Sequence, residues 1–128
     1  MTDTDDVERI ALSFPETVHE GTGFRVRKKG FCWYYAEKVP GQKGRTLHDD
    51  VLAVRVANED EKQALLAADP AKFFTDDHYR GFPAVLVRLP ALDADELAEL
   101  IEEAWHIQAP KTVARLKHNH PPPDGTTN

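Results

Sequence analysis

Two prolines, Pro83 and Pro90, bracket the apolar run AVLVRL, and this arrangement constrains the fold more than any other feature of the chain. Proline cannot donate a hydrogen bond to a sheet, so it suits strand ends, and the run between the two prolines predicts a buried strand. Asp93 then stands as a helix N-cap, with Glu96 at the third helical position. An apolar stripe at helical spacing follows, made of Leu97, Leu100, Ile101, Ala104 and Trp105. The segment therefore predicts a helix from Ala94 to His106 that packs on a sheet.

The rest of the chain predicts strands in the middle and helices at both ends. Apolar residues at helical spacing predict a first helix from Asp5 to Phe14, capped by Thr4 or Asp5. Between Thr17 and Glu37 the sequence predicts a β-hairpin, in which Phe24 and Val26 alternate with Arg25 and Arg27 before a turn at Lys28 to Gly30. The strand that follows, Phe31 to Glu37, is aromatic or small on both faces and should be buried on at least one side. The remaining predicted elements are a strand from Val51 to Val56, a short helix capped by Asn58 with Glu61, a short strand at Phe73 and Phe74, and a short helix from Lys111 to Leu116. This order is typical of a two-layer α+β fold, an antiparallel sheet packed by the N- and C-terminal helices.

Length and composition indicate one soluble domain. The chain has 128 residues, of which 41% are hydrophobic and 30% charged, which suits a folded globular protein. We predict a single domain over residues 1–118 and a disordered tail over residues 119–128. The sequence has no apolar run long enough to span a membrane, and an acidic N-terminus is unlike a signal peptide. Cys32 is the only cysteine, so no intrachain disulfide forms. We expect a cytoplasmic protein, without membrane association, and favour a monomer.

Charge is unevenly distributed along the chain. The formal net charge is −6, which taken alone counts against a protein that holds phosphates. Between Gly21 and Thr46, however, seven basic residues stand against Glu37 alone, so this stretch carries +6. The rest of the chain is correspondingly acidic. A binding surface for an anionic partner is therefore expected in this basic stretch.

Three segments together carry a resemblance to a known family. They are the end of the first helix with the motif ALSFPET, the basic and aromatic hairpin, and the run FFTDDHYRGFPAVLVRLPALDADELAELIEEAWHIQAPK. Over about Val7 to Leu116 the chain resembles the MmcQ/YjbR family. The resemblance implies a frataxin-like α/β sandwich with a double-wing arrangement, and a role in binding DNA. It brings no catalytic residues with it.

The hairpin combines basic side chains with aromatic ones, which favours a nucleic-acid surface. Basic side chains contact phosphates, and the rings of Trp33, Tyr34 and Tyr35 offer planes on which bases stack. The alternative is structural, with charged residues at outward positions for solubility and aromatic residues in the core. The residues predicted to contact nucleic acid are Arg25, Arg27, Lys28, Lys29, Lys43 and Arg45.

The loop from Asp76 to Tyr79 is a second candidate surface. Loops carry binding residues more often than cores do, and a carboxylate beside a histidine orients it as a base or a ligand. Nothing in the sequence fixes a nucleophile at a defined distance, so the alternative is an aspartate-capped turn packed over the sheet. The residues predicted for a ligand or partner surface are Trp33, Asp76, His78 and Tyr79.

Acidic residues do not form a diagnostic metal motif. The carboxylates near the first helix N-terminus suit the helix dipole without any metal, and Asp49 with Asp50 has no ligand spacing. We therefore expect no metal site, no cofactor and no catalytic residues.

Two main hypotheses about function remain. One is a non-enzymatic DNA-binding module that uses the basic hairpin, and the other is an interaction module for a protein or a small ligand. An enzyme built from scattered residues is a third.

Overall fold

The computed structural model describes the backbone of residues 1–119 and the side chains of residues 1–115. Within this range the chain forms four α-helices and six strands, with short 3-10 turns at Asp77–Tyr79 and Leu89–Ala91. In chain order the elements are α1 (Thr4–Leu12), β1 (Thr17–Glu20), β2 (Gly23–Val26), β3 (Lys29–Glu37), β4 (Thr46–Arg55), α2 (Glu59–Ala68), β5 (Phe73–Phe74), β6 (Ala84–Arg88), α3 (Ala94–Gln108) and α4 (Lys111–Asn119). Apart from residue 119, where α4 ends, the predicted tail lies outside the described residues.

The strands form one sheet in which neighbouring strands are antiparallel. Its order is β1-β2-β3-β4-β6-β5, so β3 and β4 lie in the middle. The predicted α+β class, with an antiparallel sheet and helices packed on it, is confirmed. The frataxin-like, double-wing description stays a prediction from resemblance. Along residues 1–119, no helix combines the length and the apolar character that a membrane crossing needs.

The main core lies between one face of the sheet and the helices α1 and α3. Helix α1 buries Val7, Ile10 and Ala11, and α3 buries the predicted stripe except Leu100, which is partly buried. Trp105 of α3 is fully buried, and its indole nitrogen donates to the Pro15 carbonyl at 3.3 Å. Helices α1 and α3 are thus joined just after α1 ends.

Strand β3 is apolar on both faces, and a bulge explains its pattern. Phe24 pairs with Cys32, but the next residue of β2 pairs with Gly30, so Phe31 is an extra residue. A bulge lets consecutive residues lean to one side, and Phe31 and Cys32 both join the helix-side core. Trp33 points to the opposite face of the sheet. The prediction that this strand is buried on at least one side is correct.

Among the predicted boundaries that differ from the structure, two have a specific physical cause. Helix α1 is capped by Asp3 instead of Thr4 or Asp5, and Asp3 forms a reciprocal capping box with Asp6. Strand β4 begins at Thr46 instead of Val51, because three residues after His48 are displaced from the β3 ladder. A displaced segment interrupts the alternation of apolar and polar residues from which a strand is predicted.

Gly23 of β2 allows the close approach of Trp33, and this generates a prediction. A Cβ atom at Gly23 would lie 2.8 Å from the Trp33 Cβ and 3.1 Å from the Cys32 carbonyl oxygen, whereas at Gly30 the nearest atom is 3.8 Å away. We expect Gly23→Ala to lower the free energy of unfolding by about 1–3 kcal/mol. Gly30→Ala, beside the same indole ring, should be neutral or stabilise by up to about 1 kcal/mol. Urea unfolding measures both, and equal losses would contradict the assigned packing.

Candidate functional site

The face of the sheet opposite α1 and α3 carries a second, smaller aromatic cluster. At its centre Tyr35, Ala53 and Leu86 are buried. Partly buried apolar side chains surround this centre, namely Trp33, Val51, Phe74 and Tyr79. Among the described residues, the cover on this face is the loop that contains the 3-10 turn Asp77–Tyr79. We call this surface the open face.

Hydrogen bonds attach this loop to β3. The Trp33 indole nitrogen donates to the Tyr79 hydroxyl at 2.8 Å, and the Tyr35 hydroxyl donates to the Asp76 carboxylate. The other carboxylate oxygen of Asp76 accepts from the Tyr79 backbone N–H at 3.1 Å and so caps the turn. Burial and the bond to Asp76 raise the pKa of Tyr35 well above its usual range. At neutral pH its hydroxyl therefore stays protonated, as the donor role requires.

A groove of about 390 Å³ opens beside these contacts. Its lining residues include Trp33, Tyr79 and Phe82, whose rings contact one another, whereas the Tyr34 side chain packs in the helix-side core. The Phe82 ring meets the Trp33 ring edge-on at 6.1 Å and the Tyr79 ring at 6.0 Å, and Phe82 is 39% exposed. The remaining lining residues are Thr22, Tyr34, Ala36, Arg45 and His78. The groove is thus aromatic on its walls and open to solvent.

The lining of the groove includes a cation, and a carboxylate lies behind it. Among its lining residues in the described part of the chain, Arg45 is a cation and none is Asp or Glu. Two nearby carboxylates have hydrogen-bond partners, since Asp76 accepts from Tyr35 and Glu37 contacts the His48 ring nitrogen at 2.8 Å, but the neutral Tyr35 hydroxyl does not cancel the charge of Asp76. Burial raises the pKa of Tyr79, the hydrogen bond from Trp33 opposes that rise, and the charges of Asp76 and Arg45 then act on it in opposite directions. The arginine therefore lies close enough to act electrostatically on the groove wall.

Lys62 of α2 binds the backbone of the loop that contains Tyr79 and Phe82. The side chain is only 1% exposed, and its ammonium group donates to the backbone carbonyls of Tyr79 and Phe82, the latter at 3.0 Å. Within residues 1–115 it forms no ion pair with a carboxylate, so backbone dipoles alone accept from this cation. The two acceptors belong to two of the groove-lining residues. Lys62 therefore fixes the position of the groove wall.

The predicted basic surface does not form one patch. Two arginines are paired across the β1–β2 ladder, Arg25 with Glu20 and Arg27 with Glu16 at 2.9 Å. Lys28 is exposed at the turn between β2 and β3. The other members of the predicted set are also exposed, with Lys29 at the turn and Lys43 and Arg45 in the loop after β3.

The length of β3 separates the two groups of basic residues. The strand has nine residues, so its ends lie about 26 Å apart at roughly 3.3 Å per residue. Lys28 and Lys29 stand at one end, whereas Lys43 and Arg45 stand beyond the other. Arg45 lines the groove, together with residues predicted for the second surface. The structure thus divides the basic residues between two places.

The second predicted surface is brought together by the fold. Trp33, His78 and Tyr79 line one groove, while Asp76 lies behind them as the partner of Tyr35. Sequence reasoning missed the groove residue Phe82. It also missed Lys62, although a signal was present. Lys62 stands one helical turn before Leu65 and Leu66, which pack on the core, so a lysine occupies a position of the apolar face.

The acidic residues have structural partners near α1. Asp3 and Asp6 form the capping box, and Asp6 also binds Arg9 at 3.0 Å, which lowers the pKa of Asp6. Asp49 and Asp50 lie on the displaced segment of β4. For residues 1–115, whose side chains the structure describes, no group of three or more His, Cys, Asp or Glu side chains is arranged to hold a metal ion.

Comparison with known proteins agrees with this architecture. The YjbR family model matches residues 12–107. The chain belongs to the YjbR family. Proteins of Mycobacterium bovis and Mycobacterium tuberculosis, both named only as uncharacterized, are 37% identical to it over 122 residues, which covers 90% of this chain and 95% of theirs. The crystal structure of Deinococcus radiodurans protein DR2400, with a DUF419 domain, superposes with a TM-score of 0.58 at 17% identity, and covers 100% of this chain and 97% of that one. This last likeness shows the fold.

The Lys62 contacts generate a prediction about this YjbR-family protein. In Lys62→Met the apolar stem remains, but the Tyr79 and Phe82 carbonyls lose their donor, so the loop should open more readily. We expect hydrogen exchange of the amides in residues 76–83 to rise about tenfold, the equivalent of about 1.4 kcal/mol, with little change in α3. Hydrogen–deuterium exchange read by mass spectrometry measures this.

Gln63→Met is the matched control, because Gln63 is the exposed neighbour of Lys62 on the same helix. It should leave the exchange of residues 76–83 unchanged. Equal exchange in the Lys62→Met variant and the unmodified protein would show that the ammonium contacts do not hold the loop.

Proposed function

We propose that this protein is a binding module and that its ligand surface is the groove on the open face. The observation that carries the proposal is the set of three rings, Trp33, Tyr79 and Phe82, that face solvent at a site held by directional bonds. Ligand sites are typically concave, largely apolar and fitted with a few polar groups. The groove combines aromatic walls with polar groups in nearly equal share, so it is more polar than a typical ligand site, and its loop is fixed to both β3 and α2.

The two tryptophans of the chain provide a direct test. Trp33 lines the groove, whereas Trp105 is fully buried in the helix-side core, so their indole N–H resonances report on two different places. We would titrate the ¹⁵N-labelled protein with indole, indole-3-acetate and tryptamine, which are aromatic probes that differ in charge. At least one probe should shift the Trp33 resonance and leave the Trp105 resonance in place.

Variants locate the effect in the groove. Phe82→Ala removes a groove wall and should weaken the shift by about tenfold in affinity, since one stacked ring contributes roughly 1–3 kcal/mol. Leu12→Ala is the matched control, because Leu12 of α1 is 42% exposed and Phe82 is 39% exposed. If none of the three probes moves the Trp33 resonance, or if Leu12→Ala weakens binding as much as Phe82→Ala, the groove is not the ligand surface.

A second candidate function is DNA binding at the hairpin turn. The specific observation is that Lys28 and Lys29 are exposed next to each other and, within the described residues, neither forms an ion pair. The turn also borders a cleft with Pro110, directly before Lys111 at the start of α4. Such lysines suit phosphate contacts without reading sequence. The paired Arg25 and Arg27 contribute less net charge to this surface.

Salt dependence tests this second candidate. Binding of labelled duplex and single-stranded DNA is measured by fluorescence anisotropy at about 50 mM and about 200 mM salt. Changing Lys28 and Lys29 to Ala should flatten the slope of log affinity against log salt by roughly one unit for each lost contact.

The matched control changes Lys38 and Lys43 to Ala, which removes the same charge at the far end of β3. This control should keep the original slope. The hairpin hypothesis fails if DNA does not bind at the lower salt concentration, or if both double variants behave alike.

A further inference from the structure

We propose that the groove takes a small ligand in which a planar aromatic ring carries a negatively charged group. The ring lies against Trp33 and Phe82, and the anionic group binds the Arg45 guanidinium. This inference rests on the proposed function of the groove and names its ligand class.

The aromatic ring of the proposed ligand is inferred from the residues of the groove walls. The Trp33 and Phe82 rings meet edge-on at 70° between their planes, and the Arg55 guanidinium lies over the Phe82 ring at 5.4 Å from its centroid. Tyr79 is held beside them by the bond from the Trp33 indole nitrogen. Aromatic ligands gain from stacked and edge-on contacts with such rings, beyond the area they bury. An aliphatic ligand would gain burial alone.

The anionic group of the proposed ligand is inferred from the positive charge of Arg45. Arg45 lines the groove and donates one hydrogen bond, at 3.3 Å, to the Ala36 carbonyl oxygen. A guanidinium group has five N–H donors, so most of them are left for an anion, and its planar fork suits carboxylates and phosphates. His78 lines the same groove and brings a further polar ring. A cationic ligand would find no carboxylate among the described lining residues.

Two classes of small molecule combine a planar aromatic ring with an anionic group. One is an aromatic carboxylic acid, and the other is a nucleoside monophosphate, in which a base and a phosphate are joined by a sugar. Both present a flat ring and an anion a few bonds away. The experiment therefore includes a matched series for each source.

The test compares probes that share a ring and differ in charge. Indole-3-acetate, indole-3-acetamide and tryptamine form the first series, and adenosine 5′-monophosphate with adenosine forms the second. Dissociation constants come from the Trp33 indole N–H shift, with Trp105 as the internal control. In at least one series the anion should bind about tenfold more tightly than its neutral partner, as a charge-assisted hydrogen bond implies. Tryptamine should bind weakest of all.

Variants at Arg45 attribute this preference to a single side chain. Arg45→Gln should bring the anion down to the affinity of the neutral probe, while the neutral probe keeps its own affinity. Lys43→Gln, which removes one positive charge from the same exposed loop outside the groove lining, should preserve the preference.

The outcomes separate the two proposals. If probes shift Trp33 but anions show no advantage in either series, or if Lys43→Gln is as damaging as Arg45→Gln, the ligand class is wrong and the groove remains a binding surface. If no probe shifts Trp33, both proposals fall. An advantage in only one series supports the class and identifies the source.

Discussion

The fold depends on one constraint, that β3 is apolar on both of its faces and lies near the middle of the sheet. Because of its bulge, Phe31 and Cys32 both pack in the helix-side core, whereas Trp33 and Tyr35 lie on the opposite face. Exposing two large rings to water is unfavourable in free energy, so other elements must pack over both faces of the strand. Helices α1 and α3 cover the first face. On the second face the loop around the Asp77–Tyr79 turn provides cover, and the groove opens where that cover ends.

Local signals were sufficient for much of the fold. The strand between Pro83 and Pro90 and the Asp93 cap of α3 were predictable because each depends on residues a few positions apart in sequence. The start of β4 was not predictable. Its pairing with β3 shifts after Tyr34, and such a shift depends on how two distant strands fit each other. Alternation in one strand carries no information about that fit.

The candidate site was predictable in part, for a similar reason. Trp33 was predicted from an aromatic strand, and His78 and Tyr79 from a polar loop, and the fold brings all three into one groove. The basic residues were grouped by sequence position, and the fold separates them along β3. Charge counted along a chain predicts a surface only when the chain folds back on itself locally. Lys62 illustrates the reverse, in which the fold brings together residues that are distant in sequence. Its two carbonyl acceptors lie 17 and 20 positions away.

The bonds that fix the loop also explain why the groove is a better candidate for binding than the hairpin turn. Apolar contact is non-directional, so packing alone would cover Tyr35 without fixing one loop position. Bonds from Trp33 to Tyr79 and from Lys62 to two carbonyls depend on distance and angle, and they hold the groove wall in a single arrangement. A surface held in this way loses little conformational entropy when a ligand binds. Exposed lysines such as Lys28 lose rotamer freedom with each contact they make. The geometry therefore favours selective binding in the groove, where part of the ordering cost is met during folding.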